Sequence, residues 1–230
     1  MSNLCIIPAR GGSKRLPRKN IRPFCGKPII LYAIDAAIAS GCFDQVVVST
    51  EDQEIAQVAK ERDVRVIFRS HAAASDTATL SDVLIEVCFG YFVKNFEAVC
   101  CVLPTAALLD PEDLKKTRLL LGAEGVEQVL PVVRFSYPIQ RALTMDAEKT
   151  LKLLQPEHLN SMSNHLAPTY HDAGLFYWMR HIDFLRQQKI ILEKTIGYEI
   201  PESRVQDIDT EEDWQLAEMK FKHLRQGLGA

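Results

Sequence analysis

The chain has 230 residues, 47% hydrophobic and 25% charged, with a formal net charge of -3. That is enough apolar material for one substantial core, so one domain is expected, and the slightly acidic balance argues against nucleic acid or a membrane surface as the partner. No apolar run reaches membrane-spanning length and the first residues enter a strand pattern without a signal-peptide profile, so a cytoplasmic protein is expected, its 6 cysteines being small buried hydrophobes without a C-x-x-C pair.

Leu4 to Ile7 is a short continuous apolar run ending at turn residues, which suits a strand covered on both faces. The following loop, Ala9 to Asn20, places Gly11 and Gly12 among Arg10, Lys14, Arg15, Arg18 and Lys19. Glycines let a backbone turn sharply and bring N–H groups to an anion, and the cations match the charge of a triphosphate. The spacing is neither the dinucleotide fingerprint nor the ATPase loop. A solvated basic turn is the alternative, but a loop after a strand is where α/β folds bind ligands.

Phe24 to Pro28 reads as a turn and Ile29 to Ala39 as a helix stopped by Ser40 and Gly41. Val46 to Val48 is a second strand, Ser49 to Asp52 a helix start, Glu54 to Arg62 a helix and Val64 to Phe68 a third strand. This β-α-β-α-β run predicts an α/β fold with a mainly parallel sheet flanked by helices. Arg69 follows the third strand, at the sheet edge where ligands collect. In Ser75 to Asp82, N-capping by Ser75, Asp76 or Ser81 competes with ligand binding. A helix over Val83 to Val93 carries Phe89, Tyr91 and Phe92 as core or dimer contacts. Val99 to Leu103 is a fourth strand, Pro111 to Leu121 a helix and Val129 to Val133 a further strand.

Residues 136 to 180 form an excursion from the sheet. Within it, burying Gln140 and Arg141 unpaired would be costly, so SYPIQRAL (Ser136 to Leu143) reads as substrate-reading or as an ordinary solvated loop. Tyr170-His171-Asp172 precedes an aromatic strand, and no serine motif accompanies a His-Asp dyad. Ile182 to Gln188 reads as helix and Ile190 to Glu199 as irregular and extended. Asp207 and Asp209, two apart on an extended segment, present both carboxylates to one side, a pair suited to Mg²⁺, before a terminal helix over Glu211 to Leu224 and a disordered tail from Gln226. Thr210 is read as that helix's cap.

IIPARGGSKRLPRKN, PTAA, YPIQRAL, QPEHLN, YHDAGLFYW and the Asp-x-Asp before the last helix together resemble the cytidylyltransferases that make CMP-activated nonulosonic acids. The central motifs are more similar to the pseudaminic acid branch than to the sialic acid branch. Leu103 before the proline, Ala107 at the last position of PTAA and Leu175 in the aromatic stretch depart from the family pattern. The resemblance implies a Rossmann-like nucleotidyltransferase fold and transfer of CMP from CTP to the anomeric hydroxyl of a nonulosonic acid, pseudaminic acid first. It implies CTP against Ala9, Arg10, Gly11, Gly12, Ser13, Arg15, Lys19, Asn20, Arg69, Asp76 and Thr105, with Lys19, Asp209 and Arg10 in catalysis and Mg²⁺ on Asp207 and Asp209. Gln140, Arg141, Tyr170, His171 and Asp172 would meet the sugar acid, and the excursion would form a homodimer contact over the partner's active site. CMP-N-acetylneuraminate or CMP-Kdo synthesis is the near alternative. A nucleotide-sugar-dependent glycosyltransferase and a non-catalytic nucleotide sensor are alternatives of other classes. The general base stays open.

Overall fold

A computed structural model describes residues 2–75, 77–90 and 96–227. In chain order the strands and helices are β1 (Asn3–Pro8), the two-residue strands β2 (Pro23–Phe24) and β3 (Lys27–Pro28), α1 (Ile30–Ser40), β4 (Gln45–Thr50), α2 (Gln53–Lys60), β5 (Arg65–Phe68) and α3 (Leu80–Gly90). There follow β6 (Ala98–Val102), α4 (Pro111–Leu121), β7 (Gln128–Arg134), the hairpin β8 (Leu143–Met145) and β9 (Leu151–Leu153), β10 (Tyr170–Asp172), β11 (Phe176–Arg180), α5 (His181–Gln187), β12 (Thr195–Glu199) and α6 (Glu211–Gly227).

β6, β1, β4 and β5 lie side by side and parallel, and β11 joins them antiparallel on the outer side of β6. β7 extends the sheet against β10 and β11, and β12 pairs with it in parallel. Alternation along the strands feeds two cores. Cys5, Ile7 and Val48 pack on α1, α2 and α4, while Leu4, Ile6 and Val47 pack on α3 and α5. This double burial is why the strands read as continuous apolar runs. Four of the cysteines are buried and all are free; burial pushes the Cys88 thiol up to about 12.

Several sequence expectations are revised or refined. The excursion ends before β10, because residues 170 to 180 return to the main sheet and β11 lies beside central β6. Thr195–Glu199, within a stretch expected as irregular and extended, is a strand whose glycine and exposed positions hid its parallel pairing with β7. The described part of the third helix is capped by Thr79 and Asp82, each accepting the other's backbone N–H, and not by Ser75 or Ser81. Phe89 is exposed, and Gln226 continues the last helix. Tyr91, Phe92 and Asp76 lie outside the described residues.

Candidate active site

Beyond the carboxyl ends of β1 and β6 the chain leaves in opposite directions. β1 is followed through α1 by β4 on one side, while β6 arrives on the other side from β5 through α3. Such a reversal leaves a crevice. Here it is a cleft of about 440 Å³, walled by Pro8, Arg10, Lys19 and Asn20 after β1, Arg69 after β5, Leu103 to Thr105 after β6, and Asp207.

The basic loop is held at two ends. At the first, Glu51 Oε1 accepts the Gly11 N–H at 2.6 Å and Asp52 pairs with Arg18, whose guanidinium also reaches Glu54 at 2.7 Å. Asp52 simultaneously caps α2. A Cβ on Gly11 would run into the Asp52 carboxylate, so the close approach of loop and helix start requires glycine there. Arg18 itself sits at φ 58, in the left-handed region. At the second end, Leu16 is buried with Ile208 and Trp214 in a third apolar cluster that docks α6 beneath the loop. Arg15 then lies 2.8 Å from Asp209 and Lys19 Nζ 3.4 Å from the same carboxylate, with Lys19 also donating to the Ile208 carbonyl.

These anchors refine the loop expectation. Arg15, Arg18 and Lys19 are engaged by carboxylates, and the Arg18 side chain serves as a strut for the loop. The Ala9 N–H donates to the Ser49 carbonyl and its methyl is fully buried, so Ala9 offers neither group to a nucleotide. With the Gly11 N–H also occupied by Glu51, the cradle presents cations in the place where paired-glycine amides were expected. Ser13 donates its N–H to the Gly11 carbonyl, and Gly12 has open space around it. Glu51 and Asp52 were legible in sequence only as a helix start, since their loop contacts are some 40 residues away in the chain.

Two cleft side chains carry buried polar atoms with no hydrogen-bond partner: Arg69 Nε and Asn20 Oδ1. Arg69 donates to the Ser49 carbonyl at 2.5 Å and sits 3.6 Å from Glu51. Burial pulls its guanidinium pKa down while Glu51 opposes that shift. Unsatisfied buried groups are costly, and a ligand supplying a polar partner would relieve them.

Asp207 is exposed and lines the cleft, Ile208 is buried, and Asp209 is half-buried. This alternation turns both carboxylates away from the core, as the Asp-x-Asp spacing predicts. Thr210 and Asp213 form a capping box at α6, holding the pair at a defined helix start. Two carboxylates beside the cleft have the oxygen-donor chemistry that suits a hard cation such as Mg²⁺. No cluster of three or more such ligands occurs among the described residues.

The central motifs divide. Asp172 ends β10 opposite Val132 of β7; its Oδ2 accepts from the Tyr177 hydroxyl at 2.5 Å and its Oδ1 from the Gly174 N–H at 2.8 Å. His171 lies against the Phe135 ring with Nδ1 2.9 Å from the Asp172 carbonyl oxygen. Strand neighbours point to opposite faces, so the two side chains do not act as a dyad. Tyr170 is exposed on the same edge strand. Gln140 donates to the Ala167 carbonyl at 3.0 Å and, with exposed Arg141, belongs to the excursion; neither lines the cleft. Thr105 does line it, as does Ser75.

A family model described as cytidylyltransferase matches residues 4–227. The chain belongs to the cytidylyltransferase family. It is therefore a nucleotidyltransferase, and the glycosyltransferase and sensor alternatives fall away. Among curated relatives, the pseudaminic acid cytidylyltransferase of Campylobacter jejuni is 36% identical over 225 residues, covering 96% of this chain and 97% of that one. The CMP-N,N'-diacetyllegionaminic acid synthase of Legionella pneumophila is 31% identical, covering 98% of each. A solved CMP:2-keto-3-deoxy-manno-octonic acid synthetase complexed with CTP superposes with a TM-score of 0.71 at 16% identity, covering 98% of this chain and all of the other. That likeness establishes the Rossmann-like nucleotidyltransferase fold.

Proposed function

We propose that this cytidylyltransferase transfers CMP from CTP to the anomeric hydroxyl of pseudaminic acid, releasing pyrophosphate. The observation that carries the proposal is the cleft at the β1/β6 crossover, where Arg10, Lys19, Asn20 and Arg69 face Thr105 and Asp207. Similarity to the pseudaminic acid enzyme over nearly both full lengths supports the sugar acid.

In this reading the triphosphate lies along the basic loop. Lys19 and Arg15 exchange Asp209 for phosphate oxygens, which as charge-assisted partners are at least as strong. Asn20 Oδ1 and Arg69 Nε find partners on the nucleoside. Asp207 and Asp209 would hold Mg²⁺, which when bound neutralises charge on the phosphates. The sugar hydroxyl approaches the α-phosphate in line with the departing pyrophosphate, and the protein's contribution is positioning and charge stabilisation. The hydroxyl proton would pass to Asp209 or to water as the sugar oxygen bonds to phosphorus.

The excursion carries Tyr137, Leu143, Met145, Leu151, Leu154 and Leu159 exposed on a small hairpin and short turns, too much apolar surface for a solvated flap. We assign it to a homodimer contact that brings Gln140 and Arg141 over the neighbouring protomer's cleft, where an arginine suits the substrate carboxylate. No helix among the described residues is long and apolar enough to cross a membrane, in keeping with action on soluble substrates in the cytoplasm. The test is pyrophosphate release with CTP and Mg²⁺ against pseudaminic acid, N-acetylneuraminic acid and Kdo. Turnover of pseudaminic acid at least tenfold above the others is expected; preference for either alternative overturns the substrate assignment.

A further inference from the structure

β10 and β11 are one strand interrupted. Asp172 faces Val132 of β7 and Trp178 faces Val129, so this strand carries more residues than its partner over the interval, and Ala173-Gly174-Leu175 bulges out. Bulges beside functional sites re-aim a side chain. Here the bulge is pinned on both sides: the Ala173 N–H donates to the Pro131 carbonyl, and the Leu175 carbonyl accepts the N–H of Leu103, a cleft residue. Gly174 takes φ 61 at the turn.

The side chain the bulge aims is Asp172. Tyr177 is buried, with its ring in the core beside Leu130 and Met179 and only its hydroxyl reaching out to Oδ2. A rigid aromatic body with a polar tip is well suited to fix a carboxylate. Burial and the neighbouring Asp172 and Asp207 charges push the phenol pKa up, so the hydroxyl stays protonated and donates throughout the working range. With Tyr177 and Gly174 each occupying one oxygen, the carboxylate keeps lone pairs for further donors.

We propose that Tyr177 is a positioning residue for sugar-acid selection: through Asp172 Oδ2 it holds an acceptor-only carboxylate next to the bulge that bonds the cleft residue Leu103, there to receive hydroxyl or acylamino N–H donors of the substrate. A carboxylate repels the acid end of the substrate, so this wall reads the donor-bearing end. The inference rests on the proposed reaction.

The test is steady-state kinetics of Tyr177→Phe, Asp172→Asn and the double variant, with pseudaminic acid and CTP varied separately. Loss of a hydrogen bond to a charged group should raise KM for the sugar acid about tenfold in Tyr177→Phe, with KM for CTP within about twofold of the parent. The double variant should be no worse than Asp172→Asn alone, since both changes break one unit. Equal changes in both KM values, an unchanged sugar-acid KM, or additive losses would overturn the role of Tyr177. Asp172→Asn touches only an exposed side chain, so an unchanged sugar-acid KM there overturns the proposal even if the Tyr177 variant does not fold. Wild-type protein inactive on every sugar acid would instead overturn the reaction on which this rests.

Discussion

The basic loop after β1 and the excursion between β7 and β10 are both irregular, polar-edged segments, yet they are held in different ways. The loop is tied by long-range charge: Glu51 and Asp52 at one end, Asp209 at the other, with Leu16 buried beneath. The excursion is held by its own hairpin and turns and by local bonds such as Gln140 to Ala167, and its large apolar side chains face outward. In the proposed function the first segment meets a triphosphate and benefits from pre-set anchors, while the second meets another protein surface and keeps its apolar groups exposed until it does.

The sharpest way to break the comparison is at Asp209, the anchor shared by the loop and the proposed metal pair. Asp209→Asn should leave the thermal midpoint nearly unchanged, since the side chain is half-exposed, while kcat with CTP falls about a thousandfold or more. Retained turnover would remove Asp209 from the site. Next, Gly11→Ala should force the loop off Asp52, costing about 1–3 kcal/mol of stability and raising KM for CTP, measured by thermal melts and kinetics together. A neutral result would show that the loop yields freely.

On the other side of the comparison, Leu143→Asp with Met145→Asp should convert a dimer to monomer by sedimentation while leaving the melting temperature within a few degrees, because neither residue is in the core. A monomeric parent would contradict the assignment of that surface. The smallest expected effect is electrostatic. Arg18 holds the Asp52 carboxyl below its ordinary pKa, so the pair's stabilisation is present above about pH 4 and lost as pH falls through the depressed folded value. Arg18→Gln should therefore destabilise the protein at pH 7 and flatten its acid unfolding below about pH 4.

Much of this contrast could be read from sequence, and the shortfall has physical reasons. The β1 run, the glycine-rich basic loop and the Asp-x-Asp before α6 are local patterns, and each landed on the cleft wall or beside it. The anchors did not show, because Glu51 and Asp52 act across tens of residues and Tyr177 acts across a bulge, and locally they look like a helix start and a strand aromatic. His171 and Asp172 seemed one pocket because they adjoin in sequence, yet strand alternation separates them. Thr195–Glu199 escaped because a strand completing one side of β7 has no strong alternation of its own. Gln140 and Arg141 stood out correctly as poor core residues, but one chain alone does not bring them to the cleft.

The central claim is that the basic loop is a triphosphate cradle, and calorimetric titration of CTP, CDP and CMP in the presence of Mg²⁺ tests it most directly. Each lost phosphate removes charge-assisted bonds to the loop, so affinity should fall stepwise, with CMP at least about a hundredfold weaker than CTP. CMP binding as tightly as CTP would contradict the account and move the phosphate site away from Arg10, Arg15 and Lys19.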